Sequence, residues 1–148
     1  MAETNFMELA LAEAEAAAQR GEVPVGCVIV QDGAVVARAG NRTLTDKDPA
    51  GHAEILALRE AARALGSERL SACDLYVTLE PCTMCAAAIS FARIRRLYYG
   101  APDPKGGAVD SGVRFFSQPT CHHRPEIYGG IQWAKAAALL KDFFAARR

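Results

Sequence analysis

The stretch DLYVTLEPCTMCAAAISFARIRRLYYGA, residues 74–101, decides how this chain folds. Asp74 to Leu79 is a short apolar run of strand formers, Cys82 to Ile94 is a helix, and Arg95 to Ala101 is a second apolar, aromatic strand. Strand, helix and strand in succession predict a parallel crossover, because parallel neighbours need a long connection to bring the chain back to the same end. A sheet built this way is buried on both sides, so helices are expected over both of its faces.

The same α/β pattern extends outward. Met7 to Arg20 sets Ala, Leu and Glu at helical spacing, with Gly21 as a stop. VPVGCVIVQDGAVVARAG (23–40) is two β-branched runs around Asp32-Gly33, a hairpin whose turn residues tolerate positive φ. Thr43 to Gly51 is a polar loop, and Glu54 to Leu65 returns to helical period with Ile55, Leu58 and Ala62 on one face before Gly66. Downstream, PDPKGGAVDSG (102–112) is a glycine-rich loop, residues 113–130 are irregular, and Ile131 to Arg148 is an amphipathic closing helix. There is no internal repeat, linker or low-complexity tract.

The 148 residues are expected to form one domain, 1–148, large enough to bury roughly 70% of its unfolded surface without staples. No apolar run nears the ~20 residues of a membrane span, and the acidic start lacks a cationic leader, so a cytoplasmic protein is expected. Seventeen basic and seventeen acidic residues cancel, which argues against bulk-charge binding of nucleic acid. The halves differ, however. Residues 1–60 carry five Lys/Arg against ten Asp/Glu, and 61–148 carry twelve against seven, so a polyanion should meet the second half. Of five cysteines, Cys27, Cys73 and Cys121 read as small buried hydrophobes. Cys82 and Cys85 lie three apart, which favours metal or redox chemistry over a disulfide framework.

His52-Ala53-Glu54 followed by Pro81-Cys-Thr-Met-Cys85 resembles the His-x-Glu … Pro-Cys-x-x-Cys signature of the zinc nucleobase deaminases. Physical reasons support the pattern. In the first turn of a helix, Cys82 and Cys85 point their sulfurs the same way, and the helix N-terminus favours thiolate. His52 supplies a third ligand, leaving the fourth zinc position to water, as in catalytic rather than structural sites. Glu54 reaches that water without ligating the metal: it takes a proton from it, passes one to a ring nitrogen and helps ammonia depart. A solitary His-x-Glu would be an ordinary helix start, and a solitary Cys-x-x-Cys would suit a thioredoxin-like site, which leaves His52 and Glu54 unexplained.

EVPVGCVIV, GNR, DPAGHAEI, LYVTLEPCTMCAAAI, YYGAPDPKGG and DFFAARR, spread over residues 22–148, are similar to the bacterial tRNA-specific adenosine deaminases. The resemblance implies a cytidine-deaminase-like three-layer α/β/α sandwich with a mixed five-stranded sheet. It implies conversion of adenosine to inosine at the wobble position of an arginine tRNA, by a homodimer holding one Zn²⁺ per subunit. It also implies that Asn41 hydrogen-bonds the flipped-out nucleoside and that Ala53 and Pro81 line the pocket. Asp103, Lys105, His122, His123 and Arg124 would hold the flanking nucleotides of an anticodon stem-loop. Of Phe143 and Phe144, one should pack into the core and the other, Phe144, should stack on RNA. Two departures from the family are Gly51, expected to loosen the helix start, and Gly106-Gly107, expected to make the substrate loop supple.

Two other readings stay open at this point. A guanine or cytosine free-base or nucleoside deaminase would share the metal motif and the fold, and the zero net charge suits it. A non-catalytic, zinc-stabilised RNA-binding module would need a fourth protein ligand and no Glu54.

Overall fold

The computed structural model of the chain describes residues 2–147. Met1, and Arg148 at the end of the expected closing helix, lie outside the described residues. Helix α1 (Ala2–Gln19) begins upstream of Met7, since no Pro or Gly interrupts the preceding residues. Strands β1 (Gly26–Gln31) and β2 (Ala34–Gly40) form the hairpin, with Asp32 and Gly33 both at positive φ (52° and 75°). Helix α2 (Ala53–Leu65) ends on Gly66 at φ 66°. Strand β3 (Cys73–Leu79), helix α3 (Thr83–Ala92) and strand β4 (Arg96–Ala101) make the crossover. Arg93 closes α3 at φ 64°, a left-handed position filled without glycine, and its N–H returns to the Ile89 and Ser90 carbonyls.

The sheet order is β2-β1-β3-β4-β5, with β1 antiparallel to β2 and β3, and β4 parallel to β3 and β5. It is therefore mixed and five-stranded. Strand β5 (Glu126–Tyr128) lies inside the segment that the sequence presents as irregular. Three residues are too few for alternation to show, and pairing with β4 (Leu97 with Ile127, Tyr98 with Tyr128) is what makes them a strand. A one-turn 3₁₀ helix (Phe115–Ser117) precedes it, and α4 (Trp133–Ala145) follows.

The three layers follow from strand alternation. Cys27, Ile29, Leu75, Val77, Leu97 and Tyr99 face α2 and α3, where Ala57, Leu58, Ala61, Ala86 and Ile89 meet them. Val28, Val30, Tyr76 and Tyr98 face the other way, onto Met7, Ala10 and Leu11 of α1 and Ala136 of α4. Gly26 permits the closest of these approaches, since a Cβ there would collide with the Ala10 carbonyl of α1. On the opposite face α2 and α3 lie side by side, and their packing brings the two helix starts together.

Candidate metal centre and active-site cleft

His52 is the N-cap of α2 and Cys82 the N-cap of α3, both with extended backbone (ψ 151° and 176°). Neither side chain caps its own helix, which leaves imidazole and thiol available to each other. The α2 start is satisfied from outside instead: Ala53 N–H donates to Asn41 Oδ1 at 2.8 Å. Cys85, one turn into α3, is fully buried.

His52 Nδ1 lies 3.6 Å from Cys82 Sγ and 3.5 Å from Cys85 Sγ, and the three donor atoms all fall within 4.8 Å of one another. Tetrahedral zinc, with Zn–S near 2.3 Å and Zn–N of 2.0–2.1 Å, requires sulfur and nitrogen to stand about 3.6 Å apart. The donor set therefore fits zinc in kind and in spacing. Among the described residues these three form the group of His, Cys and carboxylate donors so placed.

The charges around the cluster are interdependent. A hydrogen bond from Cys85 holds the Cys82 thiol down at about 4, and the same contact together with burial pushes the Cys85 thiol up. The hydrogen bond to Cys82 raises His52 against the opposing effect of burial. Glu54 is only 4% exposed, and burial lifts its carboxyl to about 7. Burial, with the Glu54 charge next to it, also pushes the Cys27 thiol well up, consistent with an inert filler.

The cluster opens on a cleft of about 330 Å³ lined by Val23, Val25, Asn41, Thr43, His52, Glu54, Leu79, Glu80, Cys82, Asp103 and Gly106. A neighbouring hollow of about 520 Å³ shares Val23, Leu79 and Asp103 with it and adds Pro102, Lys105, Leu140 and Phe144. Two buried carboxylates hold the opposite walls. Glu22 accepts from Leu44 N–H (3.2 Å), Thr45 N–H (2.7 Å) and the Thr43 and Thr45 hydroxyls, fixing the loop after Asn41. Glu80 does the same for residues 103–111. Neither belongs to the site residues that the sequence motifs point to. The available signal was a carboxylate inside an otherwise apolar run, Glu22 before VPVGCVIV and Glu80 after LYVTL, since a buried charge must find donors.

The structure places the expected substrate residues in three groups. Asn41, Asp103, Lys105 and Phe144 line the cleft or the adjoining hollow. Phe143 is buried at 8% exposure while Phe144 is half exposed, so the pair divides as its helix position requires. Ala53 and Pro81 are buried beside the ligands in the chain, outside the cleft lining. His122, His123 and Arg124 lie elsewhere, around the end of α3. His123 Nε2 donates to Ile94 O (2.7 Å), Arg124 Nε donates to Phe116 O (2.6 Å), and the His122 ring sits 6.4 Å from that of Phe91. The two glycine expectations also change. Gly51 is held by its N–H to Asp48 O and its carbonyl from Arg42 N–H, and Gly107 is packed against Glu80, so both loops are pinned by hydrogen bonds.

Residues 1–101 match the family model described as the cytidine and deoxycytidylate deaminase zinc-binding region. The chain belongs to this zinc-dependent deaminase family. It is 66% identical to a tRNA-specific adenosine deaminase of Agrobacterium fabrum, over 98% of this chain and 95% of the relative. It is 39% identical to the enzyme so named in Bacillus subtilis, over 97% and 89%. A solved structure from a study of A-to-I editing by tRNA:A34 deaminases at the wobble position superposes with a TM-score of 0.91 at 67% identity, covering 93% of this chain and 99% of that one. A guanine deaminase from Bacillus subtilis is 40% identical with a TM-score of 0.65, over 66% and 63%. Within the deaminases, the chain thus groups with the tRNA-specific adenosine enzymes.

Proposed function

We propose that the chain is a tRNA adenosine deaminase, a hydrolase that converts adenosine to inosine at the wobble position of an arginine tRNA and releases ammonia. The observation that carries this reading is a three-donor cluster, His52, Cys82 and Cys85, with buried Glu54 beside it in a cleft sized for one nucleoside. The near full-length likeness to tRNA-specific adenosine deaminases supports the choice of substrate.

His52, Cys82 and Cys85 would hold one Zn²⁺ per subunit. When bound, zinc in a three-ligand site lowers the pKa of a water toward ~7, which supplies the nucleophile at neutral pH. The remaining work belongs to Glu54. Buried beside the donor cluster and lining the cleft, its carboxyl is placed to take up a proton and give it back. It accepts one proton of the attacking water and delivers it to the purine ring nitrogen, then takes the second from the new C6 hydroxyl and hands it to the amine as the C6–N bond breaks. Oxygen from water replaces nitrogen at C6, giving inosine and ammonia.

Asn41 gives its Oδ1 to Ala53 N–H, so its amide nitrogen is the donor it offers a nucleoside. Ala53 and Pro81 shape the pocket from behind the ligands. Asp103, Lys105 and Phe144 take the flanking nucleotides of the anticodon stem-loop, while His122, His123 and Arg124, remote from this subunit's cleft lining, meet RNA on the outer surface.

The chain acts as one catalytic domain, 1–148, in the cytoplasm. Among the described residues no helix is long and apolar enough to cross a membrane. It works as a homodimer; the apolar groove between α2 and α3, with Phe91 64% exposed at its edge, supports this.

The test is inosine formation on an anticodon hairpin, with and without chelator, beside free adenosine, guanine and cytosine. Chelator-sensitive inosine on the hairpin is expected. Ammonia from free guanine or cytosine alone would move the chain to the base deaminases, which the guanine deaminase likeness makes the second reading.

A further inference from the structure

Glu80 directly follows β3, two residues before the metal-ligating Cys82, and is 2% exposed. Its carboxylate collects donors from one loop. Oε1 accepts from Asp103 N–H (2.9 Å) and the Ser111 hydroxyl (2.9 Å), and Oε2 from the N–H groups of Val109 (3.0 Å), Asp110 (2.9 Å) and Ser111 (2.9 Å). Gly107 rests on the same carboxyl, where a Cβ would stand 2.5 Å from Glu80 Cδ. Ala108 N–H donates to Pro81 O at 2.8 Å, and Tyr99 Oη donates to Asp110 Oδ2 at 2.5 Å. The loop so fastened is the lip that carries Asp103 and Gly106 into the cleft and Lys105 into the adjoining hollow. The metal ligands and Glu54, by contrast, are held by α2 and α3.

We infer that Glu80 is a positioning residue: it ties the 103–111 lip to the turn bearing Cys82 and thereby sets the grip on RNA flanking the reacting nucleoside, without taking part in the chemistry. That the gripped ligand is RNA rests on the function proposed above. A carboxylate suits this role because it has only acceptor capacity and can serve five donors at once, whereas an amide of the same shape brings two N–H donors against them.

The test compares Glu80→Gln with Asp74→Asn, another buried carboxylate, which pairs with Arg95 at the opposite end of β3. Zinc content, amide exchange over residues 103–111, and KM and kcat on an anticodon hairpin are measured for each. Glu80→Gln is expected to keep its zinc, exchange the Val109 to Ser111 amides faster, and raise KM about tenfold with kcat within about threefold. Asp74→Asn, destabilised in its own right, should leave KM and lip exchange as in the parent protein. If Glu80→Gln does not fold, Gly107→Ala carries the test, since its Cβ displaces the same carboxyl. Unchanged exchange at the lip, unchanged KM, or a fall confined to kcat overturns the assignment. Parent protein inert on the hairpin would sink the tRNA reading instead, while lip exchange would still decide the role of Glu80.

Discussion

Glu54 illustrates why neighbours in sequence can hold different offices. His52 stands at the N-cap with its ring turned to the two sulfurs, whereas Glu54, two residues on, is inside the first turn of α2 and faces the cleft. Glu54→Ala is therefore expected to keep zinc at one ion per chain and to lose roughly 10²–10⁴-fold or more in turnover, as metal analysis beside single-turnover kinetics will show. Cys85→Ser should do the reverse to the metal. Losing a fully buried thiolate donor leaves two ligands, so zinc is lost to mild chelation along with activity. Were Glu54→Ala to shed the metal as readily, the carboxylate would be a ligand and the proton-carrier role would fall.

At the scale of elements, the cleft walls are held by two buried acids whose oxygens are taken up by loop donors. Burial alone would raise Glu22, but hydrogen bonds from Thr45, Leu44 and Thr43 outweigh it and hold the carboxyl below its ordinary 4.5. A carboxyl lowered by folding contributes stability that is present above about pH 4.5 and is lost as pH falls through the folded-state value. Melting temperature followed from pH 7 to 3 should drop on the acid side. Glu22→Gln should start lower at neutral pH and show a shallower acid fall; an identical slope would remove Glu22 from the account. The seat of α1 is a second element-scale test. Gly26→Ala drives a methyl into the Ala10 carbonyl and is expected to cost about 1–3 kcal/mol or more in denaturant unfolding. For Lys105, beside Phe144 in the hollow, Lys105→Ala should weaken hairpin binding and lower the salt slope by about 0.7–1.

For the whole molecule, the donor cluster joins the starts of two helices that lie on one face of the sheet, so an ion bound there is expected to add to folding stability. Removal of metal should lower the melting temperature in calorimetry, and added zinc should restore it; a transition indifferent to both would leave the cluster without an ion. Most of this architecture was legible beforehand. The hairpin announced itself through Asp32-Gly33, and the crossover through two apolar runs bracketing a helix of small residues. What escaped was non-local. Strand β5 exists because β4 offers it an edge, and α1 and α4 come to share a layer only after the sheet has sorted alternate side chains to opposite faces.

The sequence by itself determined the local elements and the three metal-donor residues, His52, Cys82 and Cys85, with Glu54 close by in the chain, because hydrophobic period, turn chemistry and metal-ligand type are properties of near neighbours. The tertiary structure alone decided which distant residues share a wall. Nothing in the chain order says that Glu80 should bind amides near residue 110, that Asn41 should cap a helix starting at Ala53, or that the CHHR segment should dock around the end of α3 rather than at the cleft. Those outcomes turn on burial, where each polar group must find a partner, and the partner available is set by packing rather than by position along the backbone.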